Sequence, residues 1–153
     1  AVPALAVDPD SDLPHLDFGE YYLNRAEATG NPAQRAGFLK RARKQFVLAE
    51  TLNDKNPEVL AMYGHSFQLP GEPVEKGLET LKLANVLLPS ERNISLLLAQ
   101  SYLALNRPKE AVPLLRTVVA WAEGEDVSDA RRLLAGIESE TPAQPAPAPA
   151  GTE

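Results

Sequence analysis

Asn56-Pro57-Glu58-Val59-Leu60-Ala61-Met62-Tyr63-Gly64-His65-Ser66-Phe67, followed by a turn and then Gly77-Leu78-Glu79-Thr80-Leu81-Lys82-Leu83-Ala84, opens the stretch that decides the fold. After Pro89 a similar pattern begins again. Ala99 lies 35 residues after Gly64, and Tyr102 lies 35 after Phe67. Ala111, Leu115 and Glu123 lie 34 after Gly77, Leu81 and Pro89. Upstream, Ala42, Phe46 and Ala49 precede Gly77, Leu81 and Ala84 by 35. Comparisons that span the segment around Pro70-Gly71-Glu72-Pro73 give 35 and the others 34, so one extra residue in that turn explains both values. Small residues recur where two helices must touch closely, and large ones where they interlock. A fixed period in this range marks a helical repeat array.

The pattern resembles the tetratricopeptide repeat (TPR), a 34-residue unit of two helices. Leu60, Tyr63, Gly64, Phe67, Gly77, Leu81, Ala84 and Pro89 match its repeat positions, as do Leu98, Ala99, Tyr102, Ala111, Leu115 and Val118 in the next unit. Ser95 departs at the Trp position, and Glu123 replaces the closing Pro. The first unit matches only in its second helix, at Ala42, Phe46, Ala49 and Leu52. The resemblance covers roughly residues 18 to 138. It implies an all-α right-handed superhelix of about three helical hairpins plus a C-terminal capping helix, seven helices in all. A terminal helix is expected because stacked repeats leave their last apolar face open.

Working outward, residues 1–15 read as an acidic, Pro-containing linker, 16–139 as the repeat domain, and 140–153 as a Pro/Ala-rich disordered tail with no apolar mass to bury. Asp8 to Asp12 resembles the opening of a calcium loop, but Leu13 and Gly19 occupy the positions that need Gly and Glu. A first helix is expected over Phe18–Ala28, ended by Thr29-Gly30-Asn31-Pro32. A long one follows over Ala33–Leu52, with Leu39, Ala42, Phe46 and Ala49 as its apolar stripe. Asn56 is an N-cap with Pro57 at the first helical position, and Ser90 and Ser128 are N-caps of later helices. Gly64 and Gly77 mark a close helix crossing. Pro113 should remove one hydrogen bond near a helix start without breaking the helix. Val112, Leu115, Val118, Val119 and Ala122 form the buried stripe there, closed by Trp121. Gly124 to Ser128 is a loop, and Leu133, Leu134 and Ile137 of the last helix pack inward.

Composition bounds the function. The 153 residues carry a net charge of −6, and no face of clustered Lys and Arg large enough for general nucleic-acid binding is expected. No apolar run approaches the roughly 20 residues of a membrane helix, so no membrane insertion is expected. Without cysteine there are no disulfides, zinc thiolates or cysteine nucleophiles. That fits a cytoplasm and a bacterial periplasm or cell envelope equally. The chain begins at Ala1 with no signal-like segment; a piece of a larger bacterial protein is the expectation. His15 and His65 stand alone, and no metalloprotease, phosphate-loop or nucleophile-elbow motif is present. No cofactor, metal or catalytic role is expected.

A protein- or peptide-binding scaffold is therefore the leading reading. A structural spacer or homo-oligomeriser comes second, and an accessory domain of an enzyme lying outside this chain third. The resemblance implies that the first helices line a groove for a partner. The corresponding positions here are Glu58, Ala61, His65, Gln68 and Leu69, then Asn93, Leu96, Gln100, Leu103 and Ala104. The Lys, Asn and Arg clamp of the chaperone-binding members is absent, since Ala61, Met62, His65, Leu96, Leu97 and Gln100 stand there. With one acid and no Lys or Arg in this lining, a neutral or apolar peptide bound with little salt dependence is expected. The alternative site is the basic face of the long helix: Lys40, Arg41 and Lys44, flanked by Arg35 and Arg43.

Overall fold

A computed structural model describes residues 11–121 and 125–140. Seven α-helices, and no strand, occur among them: α1 Leu13–Ala28, α2 Pro32–Leu52, α3 Pro57–His65, α4 Glu75–Leu87, α5 Arg92–Ala104, α6 Pro108–Trp121 and α7 Glu125–Glu140. Consecutive helices pair as hairpins, α1 with α2, α3 with α4 and α5 with α6, while α7 packs on α6 and α5. Neighbouring hairpins join through α2–α3 and α4–α5, and the first helices α1, α3 and α5 also meet one another in order. Among the described residues no helix is long and apolar enough to cross a membrane.

The helix limits follow from local chemistry. Asn31 caps α2, its Oδ1 accepting from Ala33 N at 2.9 Å and Gln34 N at 3.2 Å, and Pro32 starts the helix where its missing N–H costs nothing. Asn56 and Pro57 repeat the device at α3, with Glu58 N donating to Asn56 Oδ1 at 3.0 Å. Gly71, at φ 82°, turns the α3–α4 connection, and Asn106, at φ 57°, turns the chain into α6. Pro113 sits inside α6 without ending it.

Three expectations are corrected. The first helix begins at Leu13 rather than Phe18, so Leu13, Pro14 and His15 are not linker. Pro14 and Leu16 are buried, and Asp12 Oδ2 accepts from Asn56 Nδ2 at 2.7 Å, which ties the helix start to the α2–α3 turn. The cap of α5 is Glu91, accepting from Asn93 N at 3.3 Å, and Ser90 is exposed. Ser128 lies inside α7, which starts at Glu125, so residues 125–128 are not loop. Burial of Val127 and Ala130 against the stack explains why the helix extends backward. Trp121, Ala122 and Gly124 have side chains or backbone outside the described residues.

Apolar burial is split as expected for a stack. One core joins Leu16, Leu23, Leu39, Phe46, Val59 and Leu69 across α1, α2 and α3; the other runs from Leu60 and Leu81 through Leu97 to Leu115, Val118 and Ala130. Met62 touches both. At α3–α4 the two backbones cross through glycine. A Cβ on Gly77 would stand 2.5 Å from Gly64 O and 3.0 Å from Gly64 Cα, and one on Gly64 would meet Leu81 Cγ at 2.5 Å. The departure at Ser95 also has its reason, since its buried hydroxyl accepts from Asn85 Nδ2 of α4 at 3.1 Å.

Candidate functional site

Because α1, α3 and α5 lie side by side, their outward surfaces enclose two adjoining cavities. The first, about 350 Å³, is lined by Glu20, Leu23, Asn24 and Glu27 of α1, Met62 and His65 of α3, and Asn93 and Leu97 of α5. The second, about 310 Å³, is lined by Glu20, Glu58, Ala61, Met62, Leu88, Glu91, Asn93 and Ile94. Glu20, Met62 and Asn93 wall both, so the two form one groove. Its floor is apolar and its rim carries four carboxylates. Among the described residues no Lys or Arg lines it.

The carboxylates differ in their surroundings. Glu27 Oε1 lies 2.5 Å from His65 Nε2, an ion pair when the ring carries both protons. Glu91 is occupied as the α5 cap. Glu20 and Glu58 make no ion pair among the described residues. Partial burial, then the nearby charges of Asp17 and Glu58, hold the Glu20 carboxyl above the usual carboxylate range. A carboxyl with no ion-pair partner among the described residues thus stands where the two cavities join.

His65 belongs to a hydrogen-bond chain that crosses all three hairpins. Gln68 Nε2 donates to Leu97 O at 2.6 Å and to Ser101 Oγ at 2.6 Å. A carbonyl only accepts, so the amide is oriented with Oε1 toward His65 Nδ1, 2.7 Å away, and Nδ1–H donates to it. The ring's other nitrogen meets Glu27. These side chains link the first helices to one another, with the Glu27 end of the chain exposed.

Of the positions the resemblance implied, Glu58, Ala61, His65 and Asn93 line the groove. Leu69 and Leu96 do not: at 6% and 5% exposed they belong to the two cores. Gln68 holds the chain just described, Gln100 is half-buried and lines neither cavity, and Ala104 is exposed. Leu103 lines a separate hollow of about 310 Å³ against Leu133, Gly136 and Ile137 of α7. On the alternative basic face, Arg43 is taken up internally. Its guanidinium donates to Ser66 Oγ and Ser66 O at 2.9 Å, pairs with Glu72 at 2.6 Å and lies 3.9 Å from the Phe67 ring centroid, clamping the α3–α4 turn. Arg35 donates to Thr29 O at 3.0 Å. Lys40, Arg41 and Lys44 remain exposed, with Arg41 over the Tyr22 ring.

The sequence reading missed what α1 contributes, Glu20, Leu23, Asn24 and Glu27. Glu20 and Glu27, with Glu91 at the start of α5, are the three acids it left out beside Glu58. A signal was present. Phe18-Gly19 and Tyr22 repeat Tyr63-Gly64 and Phe67, but 45 residues upstream instead of 34. Gly19 meets Phe46 as Gly64 meets Leu81, with a Cβ on Gly19 standing 2.6 Å from Phe46 Cδ1. The eleven additional residues lengthen the first hairpin, whose α2 has 21 residues against 13 in α4.

Among the described residues no group of three or more His, Asp or Glu is placed to hold a metal ion. The chain matches no protein-family model and no curated protein. It is similar to the crystal structure of a thermophilic TPR protein of Thermus thermophilus, with a TM-score of 0.71 and 22% identity over 84% of this chain and 65% of that one. This chain thus spans 65% of that protein's length. Helix content, hairpin pairing and this neighbour agree that the chain has an all-α, TPR-like fold.

Proposed function

We propose that the chain is a protein- or peptide-binding scaffold and that its binding surface is the groove walled by α1, α3 and α5. One observation carries this reading: three successive first helices leave a continuous hollow whose floor is Met62, Ile94 and Leu97 and whose rim offers the side-chain amides of Asn24 and Asn93. Apolar contact for side chains and amide donors for a backbone suit an extended segment of another protein. Peptides selected from a random library, titrated into the isotopically labelled chain, test it. The amide signals of Asn24, Met62 and Asn93 should shift together. Shifts confined to Lys40, Arg41 and Lys44 would move the site to the face of α2 and leave the groove idle.

A second reading has its own support. The second helices expose large apolar side chains: Val47, Leu48 and Leu52 of α2, and Leu83, Val86 and Leu87 of α4, with Val86 74% exposed. Such side chains can be covered by another copy, as a structural spacer or homo-oligomeriser requires. Sedimentation equilibrium decides between the two. A monomer at micromolar concentration leaves the groove as the functional surface, and a dimer abolished by Val86→Glu favours the second.

A further inference from the structure

We propose that the segment bound in this groove is basic, an extended stretch in which Lys or Arg side chains alternate with apolar ones. The proposal deepens the reading of the groove as a binding surface and rests on it. Among the described residues four carboxylates rim the hollow, and no Lys or Arg lines it. The one imidazole there is already turned to Glu27. Glu20, common to both cavities, and Glu58 are left without an ion-pair partner among the described residues, and the chain as a whole is acidic. A bound cation would supply the missing counter-charge at the point where carboxylates crowd. Burial first, and then the charges of Asp17 and Glu58, push the Glu20 carboxyl above the usual carboxylate range, and a cation beside it would oppose all three.

The alternation follows from backbone geometry. In an extended chain successive side chains point to opposite sides, so every second one reaches the acidic rim while those between meet the floor of Met62, Ile94 and Leu97. An acidic segment would bring like charges together as both lose water, which weakens its binding well below that of a neutral one. Nucleic acid is disfavoured at this surface for the same reason.

The test uses three fluorescent peptides of equal length: Lys alternating with apolar residues, the same peptide with Gln for each Lys, and the same with Glu. Binding is measured by anisotropy at low and high salt. The proteins are the unaltered chain, the double variant Glu20→Gln/Glu58→Gln, and Asn93→Trp, which fills the groove with an uncharged side chain; circular dichroism confirms that each is folded. The Lys peptide should bind at least tenfold more tightly than the Gln peptide at low salt, and the margin should shrink at high salt. The double variant should lose that margin while still binding the Gln peptide, and Asn93→Trp should lose both. Equal binding of the Lys and Gln peptides, removed by Asn93→Trp, would overturn the basic partner and leave the groove standing. Binding of the Lys peptide that Asn93→Trp does not touch would overturn the groove reading itself. No binding of the Lys peptide at millimolar concentration overturns the proposal as well.

Discussion

At the scale of single residues, the molecule depends on a few side chains whose absence or charge is the point. Gly64 and Gly77 have no Cβ because two helix backbones occupy the space. The nearest obstacle at Gly77 is backbone, which cannot swing aside as a side-chain tip can. Gly77→Ala is therefore expected to destabilise the chain by about 3 kcal/mol, as overpacking against a fixed wall does. Chemical denaturation reads this directly, and a loss below about 0.5 kcal/mol would mean the crossing yields easily. Glu20 makes a prediction with a sign. Its carboxyl is held above the ordinary value, so the folded chain binds that proton more tightly than the unfolded chain does. The stabilisation that protonation gives is fully present below the unfolded carboxylate value and is lost as pH rises through the folded one. Glu20→Gln should thus raise the melting temperature at pH 7, and the gain should vanish on acidification to below the ordinary carboxylate range. A melting temperature equal to that of the unaltered chain at both pH values would show that Glu20 is not crowded.

At the scale of helices, the second and third hairpins were legible from the chain because each is nearly one repeat long. A single extra residue near Pro70 is easily absorbed by the comparison. The first hairpin was legible only in α2, from Ala42, Phe46 and Ala49. Its partner α1 carries Phe18-Gly19 and Tyr22 at the interval that eleven inserted residues produce, and a fixed period passes over it. One wall of the groove was hidden with it, including Glu20 and Glu27. Leu69 lies past the end of α3 at His65, where helical register no longer applies, and Leu96 was placed in the groove for the opposite reason. Register along a helix says which way a residue points, but whether the next hairpin covers it depends on the packing distance, which sequence spacing does not contain. The limits of α5 and α7 were misread at Ser90 and Ser128 because a serine is a good cap anywhere, while the actual starts follow Glu91 and the burial of Val127. The last helix also makes a prediction. Leu133, Leu134 and Ile137 pack against the core that includes Leu115 and Val118. Ending the chain after residue 124 should lower the melting temperature by several degrees and promote self-association, because that apolar face is then open. Unchanged melting and a clean monomer would show that α7 does not cap the stack.

At the scale of the whole molecule, three hairpins are held in fixed relation so that their first helices share a surface. The two cores meet at Met62, and the polar chain from Glu27 through His65 and Gln68 to Ser101 runs along the same line. Apolar packing and hydrogen bonding therefore specify the same stacking, which is the consistency expected of a sequence that selects one arrangement. Charge is distributed to match, with unpaired carboxylates in the groove and the exposed cations Lys40, Arg41 and Lys44 on α2. The shared groove is the central claim, and the absence of native cysteine allows it to be measured without background. Asn24 of α1 and Asn93 of α5 line one cavity although 69 residues separate them. In the double variant Asn24→Cys/Asn93→Cys, a short bifunctional maleimide should join the two thiols within one chain in high yield. The pair Asn24→Cys/Lys82→Cys, which reaches to α4, should not be joined. Efficient linkage of the second pair, or none of the first, would contradict the groove.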